Sequence, residues 1–151
     1  MIAFAINLIY CNIVWSSTYP TNMRCLQISQ KKMIRLIMKK NRTDHSSPLF
    51  KTLNILNFTD LCKYNMLLFV YKSLHNLLYS SIQYVRRNLE AYNIRNPPEL
   101  YIPNYNSQQS TMFIISRGAS LWNELEQFIR DSNTIYSFKY RLKRKYINTY
   151  G

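Results

Sequence analysis

The chain is poor in the residues from which active sites are usually built. Its 151 residues include only seven Asp and Glu, two His, three Cys and two Gly, against 20 Lys and Arg, a net charge of +13. Two-metal polymerase or nuclease chemistry needs several carboxylates converging on divalent ions. Glu124 and Glu126 are the only close acidic pair, and a spacing of two on a helix points them apart. Gly118 and the terminal Gly151 cannot form a phosphate-cradling loop. Cys11, Cys25 and Cys62 are odd in number and far apart, and His45 and His75 do not complete a zinc-ligand spacing or a hydrolytic triad. These absences argue against an enzyme complete in itself, and no cofactor, metal or small-molecule substrate is implied. The thiols read as buried or half-buried groups in a reducing, intracellular compartment (cytoplasm or nucleus) rather than as a disulfide scaffold.

Alanine is also scarce, at four residues, whereas Ile and Asn reach 16 each. That bias is typical of AT-rich coding sequence, so part of the positive charge has a mutational origin. With 47% hydrophobic residues the chain has material for a globular core, and its length fits one domain or two small subdomains. Met1 to Trp15 is apolar but interrupted by Asn7 and Asn12 and has no Lys or Arg, which suits a core helix better than a signal or a membrane span. Asn41-Arg-Thr43 and Asn57-Phe-Thr59 match the glycosylation pattern, a match that an Asn-rich chain also produces by chance.

The charge is concentrated. Residues 24–51 carry a net +7, 52–92 carry +2, 93–133 carry −1 and 134–151 carry +5. Within the first block, helical spacing over 23–40 puts Met23, Leu26, Met33, Ile34 and Ile37 on one face, with Thr21 or Asn22 as the cap. Arg24, Lys31, Lys32, Arg35 and Lys39 fall on the other. Such a stripe fits a phosphate backbone, a solvated face or a membrane surface, and charge alone does not choose among them.

Further on, Ser47-Pro48 opens a short helix. Thr59 is placed to cap a longer one bearing Leu61, Tyr64, Leu68, Tyr71, His75 and Leu78, with His75 as a hydrogen-bonded core residue. Asn96-Pro97-Pro98 marks a boundary. Leu100–Pro103 and Thr111–Ser116 have the look of two short strands, and Arg117-Gly118 of a turn. Ser120 then caps a helix carrying Leu121, Trp122, Leu125, Phe128 and Ile129. A last helix aligns Ile135, Phe138, Leu142 and Tyr146, with Lys139, Lys143, Arg144 and Lys145 around it. The expected fold is mainly α, a small helical bundle with one short β-hairpin near residues 99–116.

The order of motifs adds a family. Ile9-Tyr-Cys-Asn-Ile-Val-Trp-Ser-Ser-Thr-Tyr19, the helix from Leu26-Gln-Ile-Ser-Gln-Lys-Lys to Ile37, and His45-Ser-Ser-Pro-Leu-Phe50 followed by Leu53-Asn-Ile-Leu-Asn-Phe58 and Asp60-Leu61 come first. Phe69-Val-Tyr-Lys72 with Asn76-Leu-Leu78, Tyr92-Asn-Ile-Arg95, Arg117-Gly-Ala-Ser-Leu-Trp-Asn123, and Ser137-Phe-Lys139 with Leu142-Lys143 complete the series. Together they resemble the C-terminal, thumb and post-thumb, region of reverse transcriptases from non-LTR (LINE-type) retrotransposons of the jockey and CR kind, over nearly the whole chain. Tyr79, Ala119 and Glu126 stand where that family often has Pro, and Ser29 where it usually has an apolar residue.

The resemblance implies a thumb-like helical region over 1–92 containing the basic helix, and a hairpin with two helices over 93–151 sharing its core. It implies that the palm's catalytic aspartates lie before Met1 and that this chain retains at most sequence-independent contact with an RNA/DNA template–primer backbone. The basic helix gains a ligand from this: Lys31, Lys32, Arg35 and Lys39 become phosphate contacts, with Arg117, Lys139 and Lys143 as further candidates. Trp15 and Trp122 read as core residues. The competing reading is a stand-alone basic interaction protein, secreted or held at a membrane through its apolar N-terminus.

Overall fold

A computed structural model describes residues 20–78, 84–86, 99–102 and 114–150. The expectations for the apolar N-terminal segment, Cys11, Trp15, Tyr79 and the boundary at Asn96-Pro97-Pro98 lie outside these residues. Six helices occupy the described part: α1 (Pro20–Ile37), α2 (Ser47–Thr52), α3 (Phe58–Leu74), α4 (Ile114–Asn123), α5 (Gln127–Arg130) and α6 (Ile135–Asn148). The protein is mainly α. It divides into two compact units, 1–64 with 139–151 and 65–138.

In the first unit, α1 starts at Pro20, whose fixed φ and missing N–H suit a first helical position. Thr21 and Asn22 are therefore inside the helix and do not cap it. Met23 packs with Phe58 and Cys62, and Ile34 with Leu49, Phe50 and Tyr150. Between them on the same face lies Gln30, only 7% exposed. Its Nε2 donates to the Leu56 carbonyl (3.0 Å) and its Oε1 accepts the Phe58 N–H (2.7 Å), so one amide satisfies two backbone groups between α2 and α3. Next to it, Gln27 Nε2 donates to Thr59 Oγ1 at 2.8 Å.

Thr59 is thus engaged by α1, and the cap of α3 is Asn57. Asn57 Oδ1 accepts the Asp60 N–H (2.9 Å), and Asn57 Nδ2 donates to Asp60 Oδ2 (2.8 Å). This is a variant of the capping box, in which a third-position side chain answers the cap. Tyr150 closes it: its hydroxyl accepts the Asn57 N–H (3.0 Å) and donates to Asp60 Oδ2 (2.7 Å). The Asn57 amide that matched a glycosylation site is therefore spent on the fold.

Apolar residues surround α3 on all sides, and its buried positions are Phe58, Cys62, Met66, Leu67, Val70 and Tyr71. Leu61, Tyr64 and Leu68, the expected stripe, are half-buried. His75 lies past the helix end, exposed, with its ring 4.2 Å (centroid to centroid) from that of Tyr71, and is not a core residue.

In the second unit Tyr71, Trp122 and Phe138 form an aromatic group, with Tyr71 and Phe138 stacked at 4.4 Å. The Tyr71 hydroxyl donates to the Ser132 carbonyl (2.9 Å). Trp122 is a core residue, as expected, and its Nε1 donates to Glu99 Oε2 (3.0 Å). Glu99 also faces Arg130 (3.7 Å) and Arg86 (3.5 Å). Asn123 holds the same segment by a two-way amide bond to the Leu100 N–H and carbonyl, both 2.9 Å.

The expected hairpin is corrected where it is described. Leu100 forms an isolated antiparallel bridge with Arg86, and Ile114–Ser116 belong to α4; residues 103–113 lie outside the described part. Gly118 does not turn the chain but sits buried inside α4. A Cβ there would meet the Tyr84 hydroxyl, and would lie 2.9 Å from Val70 Cγ2. Ala119 in place of Pro lets α4 run through this point, because Pro would remove an i→i−4 bond. The break comes after Asn123, so Ser120 is not a cap. In α6, Phe138 and Leu142 are fully buried and Ile135 and Tyr146 half-buried, matching the expected face.

Two tests follow from these contacts. Burial, with the hydrogen bond to Asp60, raises the Tyr150 phenol above its ordinary 10.0, so folding favours the neutral form. That contribution is complete below pH 10 and is lost as pH climbs beyond it. Tyr150→Phe leaves the Asn57 N–H without its acceptor and should cost about 1–3 kcal/mol at neutral pH. Its urea midpoint should also fall less between pH 9 and pH 11 than that of the parent; an equal alkaline fall in both would refute the role given to Tyr150. Gly118→Ala should destabilise by about 1–2 kcal/mol, because overpacking outweighs the roughly 1 kcal/mol that Ala gains over Gly in a helix. Adding Tyr84→Phe should recover part of that loss, whereas a more stable single variant would show that the close approach is unimportant.

Candidate functional site

The basic block of 24–51 is organised by the C-terminal end of α1. Lys39 adopts a left-handed conformation (φ 49°), its N–H donating to the Leu36 carbonyl (3.2 Å) and that of Lys40 to Arg35 (2.9 Å). This is a Schellman motif, which ends the helix and satisfies its last carbonyls. The helix therefore stops at Ile37, and Lys39, expected on its basic face, lies beyond it.

The chain then folds back. A turn joins the Asn41 carbonyl to the Asp44 N–H (3.2 Å), and Asp44 Oδ2 accepts the Asn41 N–H (3.0 Å). Arg35 Nε donates to the Asp44 carbonyl (2.9 Å), tying the turn to the helix. The only acid of the block thus spends a carboxylate oxygen on a backbone N–H.

The result is a groove of about 330 Å³ lined by Lys32, Arg35, Leu36, Lys40 and Arg42. No carboxylate among the described residues pairs with any of its four cations. Leu36, 77% exposed, stands among them. The C-terminal end of a helix carries partial negative charge and tolerates cations. An anion entering the groove would meet four positive groups already held close together.

Of the residues expected from sequence, the groove collects Lys32 and Arg35. Lys31 and Lys39 are exposed outside its lining. Lys139 and Lys143 are half-buried on α6 and Arg117 is half-buried in α4; none of the three lines the groove. Lys40 and Arg42 were missed because Lys40, the last residue of the expected helix 23–40, falls off its basic face and Arg42 lies beyond it. The signal present was the run Lys39-Lys40-Asn41-Arg42 itself.

Cys62 is buried and Cys25 exposed. Among the described residues no group of three or more His, Cys, Asp or Glu is placed to hold a metal ion, and no helix is long and apolar enough to cross a membrane. No protein-family model, curated protein or solved structure matches the chain.

The Lys39 backbone generates a prediction. An L-residue in the left-handed region costs roughly 1–2 kcal/mol, which Gly escapes at some cost in unfolded-chain entropy. Lys39→Gly should raise the unfolding free energy by about 0.5–1 kcal/mol, read from urea denaturation. A decrease would contradict the helix end described here.

Proposed function

We propose that this chain is the C-terminal, thumb and post-thumb, region of a non-LTR retrotransposon reverse transcriptase, and that its contribution is sequence-independent binding to a nucleic-acid backbone. The observation that carries the binding is the groove at the end of α1, where Lys32, Arg35, Lys40 and Arg42 converge without a carboxylate among the described residues to neutralise them. Phosphates are the anions that such a cluster suits, since contacts to a backbone position a strand without reading it.

The ordered motifs add support of a different kind. Gln27, Gln30, Phe58, Asp60, Gly118, Trp122 and Asn123 all stand in the segments that resemble the family. Each of them makes a buried contact or a cross-element hydrogen bond. A series of motifs whose members hold the fold together is what a conserved architecture would leave in a sequence. Of the two glycosylation-like sites behind the secreted alternative, the one at Asn57 has its amide engaged by Asp60.

The test is equilibrium binding of the full chain to a random-sequence RNA–DNA duplex across a salt series. Four neutralised phosphates predict a log–log slope of about −3 to −4. Combining Lys32→Glu, Lys40→Glu and Arg42→Glu should weaken binding at low salt by at least about tenfold and flatten the slope by about three. The control set Lys139→Glu, Lys143→Glu and Arg144→Glu should change it less. Binding unaltered by the groove variant would eliminate the groove as the interface.

A further inference from the structure

A duplex backbone accounts for the cations of the groove but not for Leu36. A side chain 77% exposed, lining the groove beside four positive groups, offers an apolar surface that phosphate contact does not use. The groove is also concave, about 330 Å³, near the lower end of small-ligand pockets. The convex wall of a duplex reaches only the rim of such a depression, because its base faces are stacked inside the helix. An unpaired nucleotide can enter. Its base offers an apolar face to Leu36, and guanidinium planes of the kind that Arg35 and Arg42 supply stack on unstacked bases. Lys32 and Lys40 are then left for the phosphates on either side.

Building on the phosphate-binding reading above, we infer that the groove formed by Lys32, Arg35, Leu36, Lys40 and Arg42 takes an unpaired nucleotide of a single-stranded segment. The preferred ligand is then a single strand, or the single-stranded side of a junction, rather than a continuous duplex. Recognition is tolerant of sequence because every base has an apolar face.

A membrane surface would also present phosphates above an apolar layer. An interfacial helix, however, needs a continuous outward apolar face. The apolar face of α1 is turned inward, with Met23 against Phe58 and Cys62 and Ile34 against Phe50 and Tyr150. The apolar side chains exposed on α1, Ile28, Leu36 and Ile37, are spread around the helix among Lys31, Lys32 and Arg35 and form no continuous face. That arrangement suits a ligand in which apolar and anionic groups alternate along one strand.

The experiment compares four ligands on the full chain at one moderate salt concentration. These are a labelled 12-nucleotide single strand of mixed sequence, the same sequence as a blunt duplex, an abasic strand of equal length, and vesicles containing phosphatidylserine. The single strand should bind about five- to tenfold tighter than either the duplex or the abasic strand, the size of one modest stacking contact. Leu36→Ala should reduce single-strand affinity about three- to fivefold, leave abasic-strand affinity and the salt slope unchanged, and leave the urea midpoint within error, because the side chain is exposed. Lys32→Gln with Lys40→Gln should flatten the salt slope for both strands.

Duplex binding equal to or tighter than single-strand binding would overturn the inference while leaving the backbone reading intact. Abasic and normal strands bound equally well would do the same. No binding to any nucleic acid would overturn both readings. Vesicle binding that depends on Leu36 and excludes the single strand would also overturn both, and would assign the groove to lipid.

Discussion

The first unit depends on one buried amide. Gln30 stands on the apolar face of α1, between the contacts of Met23 and those of Ile34, and presents a donor to Leu56 and an acceptor to Phe58. Those two backbone groups flank the start of α3, so the amide sets where α1 lies against the α2–α3 connection. An apolar residue in its place would strand a carbonyl and an N–H, each at roughly 1–3 kcal/mol. The adjoining Asn57–Asp60–Tyr150 set works in the same way, with each polar atom answered by another. Networks of this kind hold a single arrangement because partial satisfaction is worse than none. Asn123, which pairs both ways with Leu100, repeats the device in the second unit.

The shortage of glycine shapes the helix ends. Among the described residues three non-glycines take left-handed conformations, Lys39, Asn54 and Asn76. Each stands just beyond a helix and shares one pattern, an N–H to the third residue back and, from the next residue, an N–H to the fifth. Asn tolerates this conformation better than most residues. In a chain with 16 Asn and two Gly, two of these three helix ends carry Asn and the third Lys. Its internal glycine serves the other purpose of the residue: Gly118 makes room for Tyr84 and Val70 against α4. Reading Gly118 as a turn assigned it the commoner of two roles, and only the three-dimensional neighbour distinguishes them.

Features with a local cause were legible in the sequence. The basic face of α1, the Pro-led start of α2 and the buried face of α6 follow from periodicity and from the fixed φ of Pro. Features that depend on a distant partner were not. Gln30 reads as a polar interruption of an apolar face until Leu56 and Phe58 are seen beside it. In α3 apolar residues lie on every side, so spacing alone could not say whether Leu61 or Cys62 faced inward. Ile114–Ser116 is β-branched and strand-like by composition, yet tertiary context made it the first turn of a helix. On the candidate site, the sequence yielded the half of the groove that lies on the helix, Lys32 and Arg35. The other half, Lys40 and Arg42, is placed by a loop whose geometry comes from one left-handed residue and one carbonyl contact.

That groove is not explained by stability. Cations near a helix C-terminus gain about 0.3–1 kcal/mol each from the dipole, an effect confined to the last turn. Like charges gathered in one groove repel one another, which opposes the dipole gain. Arg35 has a structural task in holding the Asp44 carbonyl; Lys32, Lys40 and Arg42 have no counterpart to it among the described residues. Nor does burial explain Leu36, which keeps most of its surface in water beside them. An anionic strand with an apolar face would relieve the repulsion and cover the leucine in the same event, whereas a bare phosphate would achieve only the first. The joint presence of the four charges and the leucine is what makes an unpaired nucleotide a better match for this groove than a duplex backbone alone.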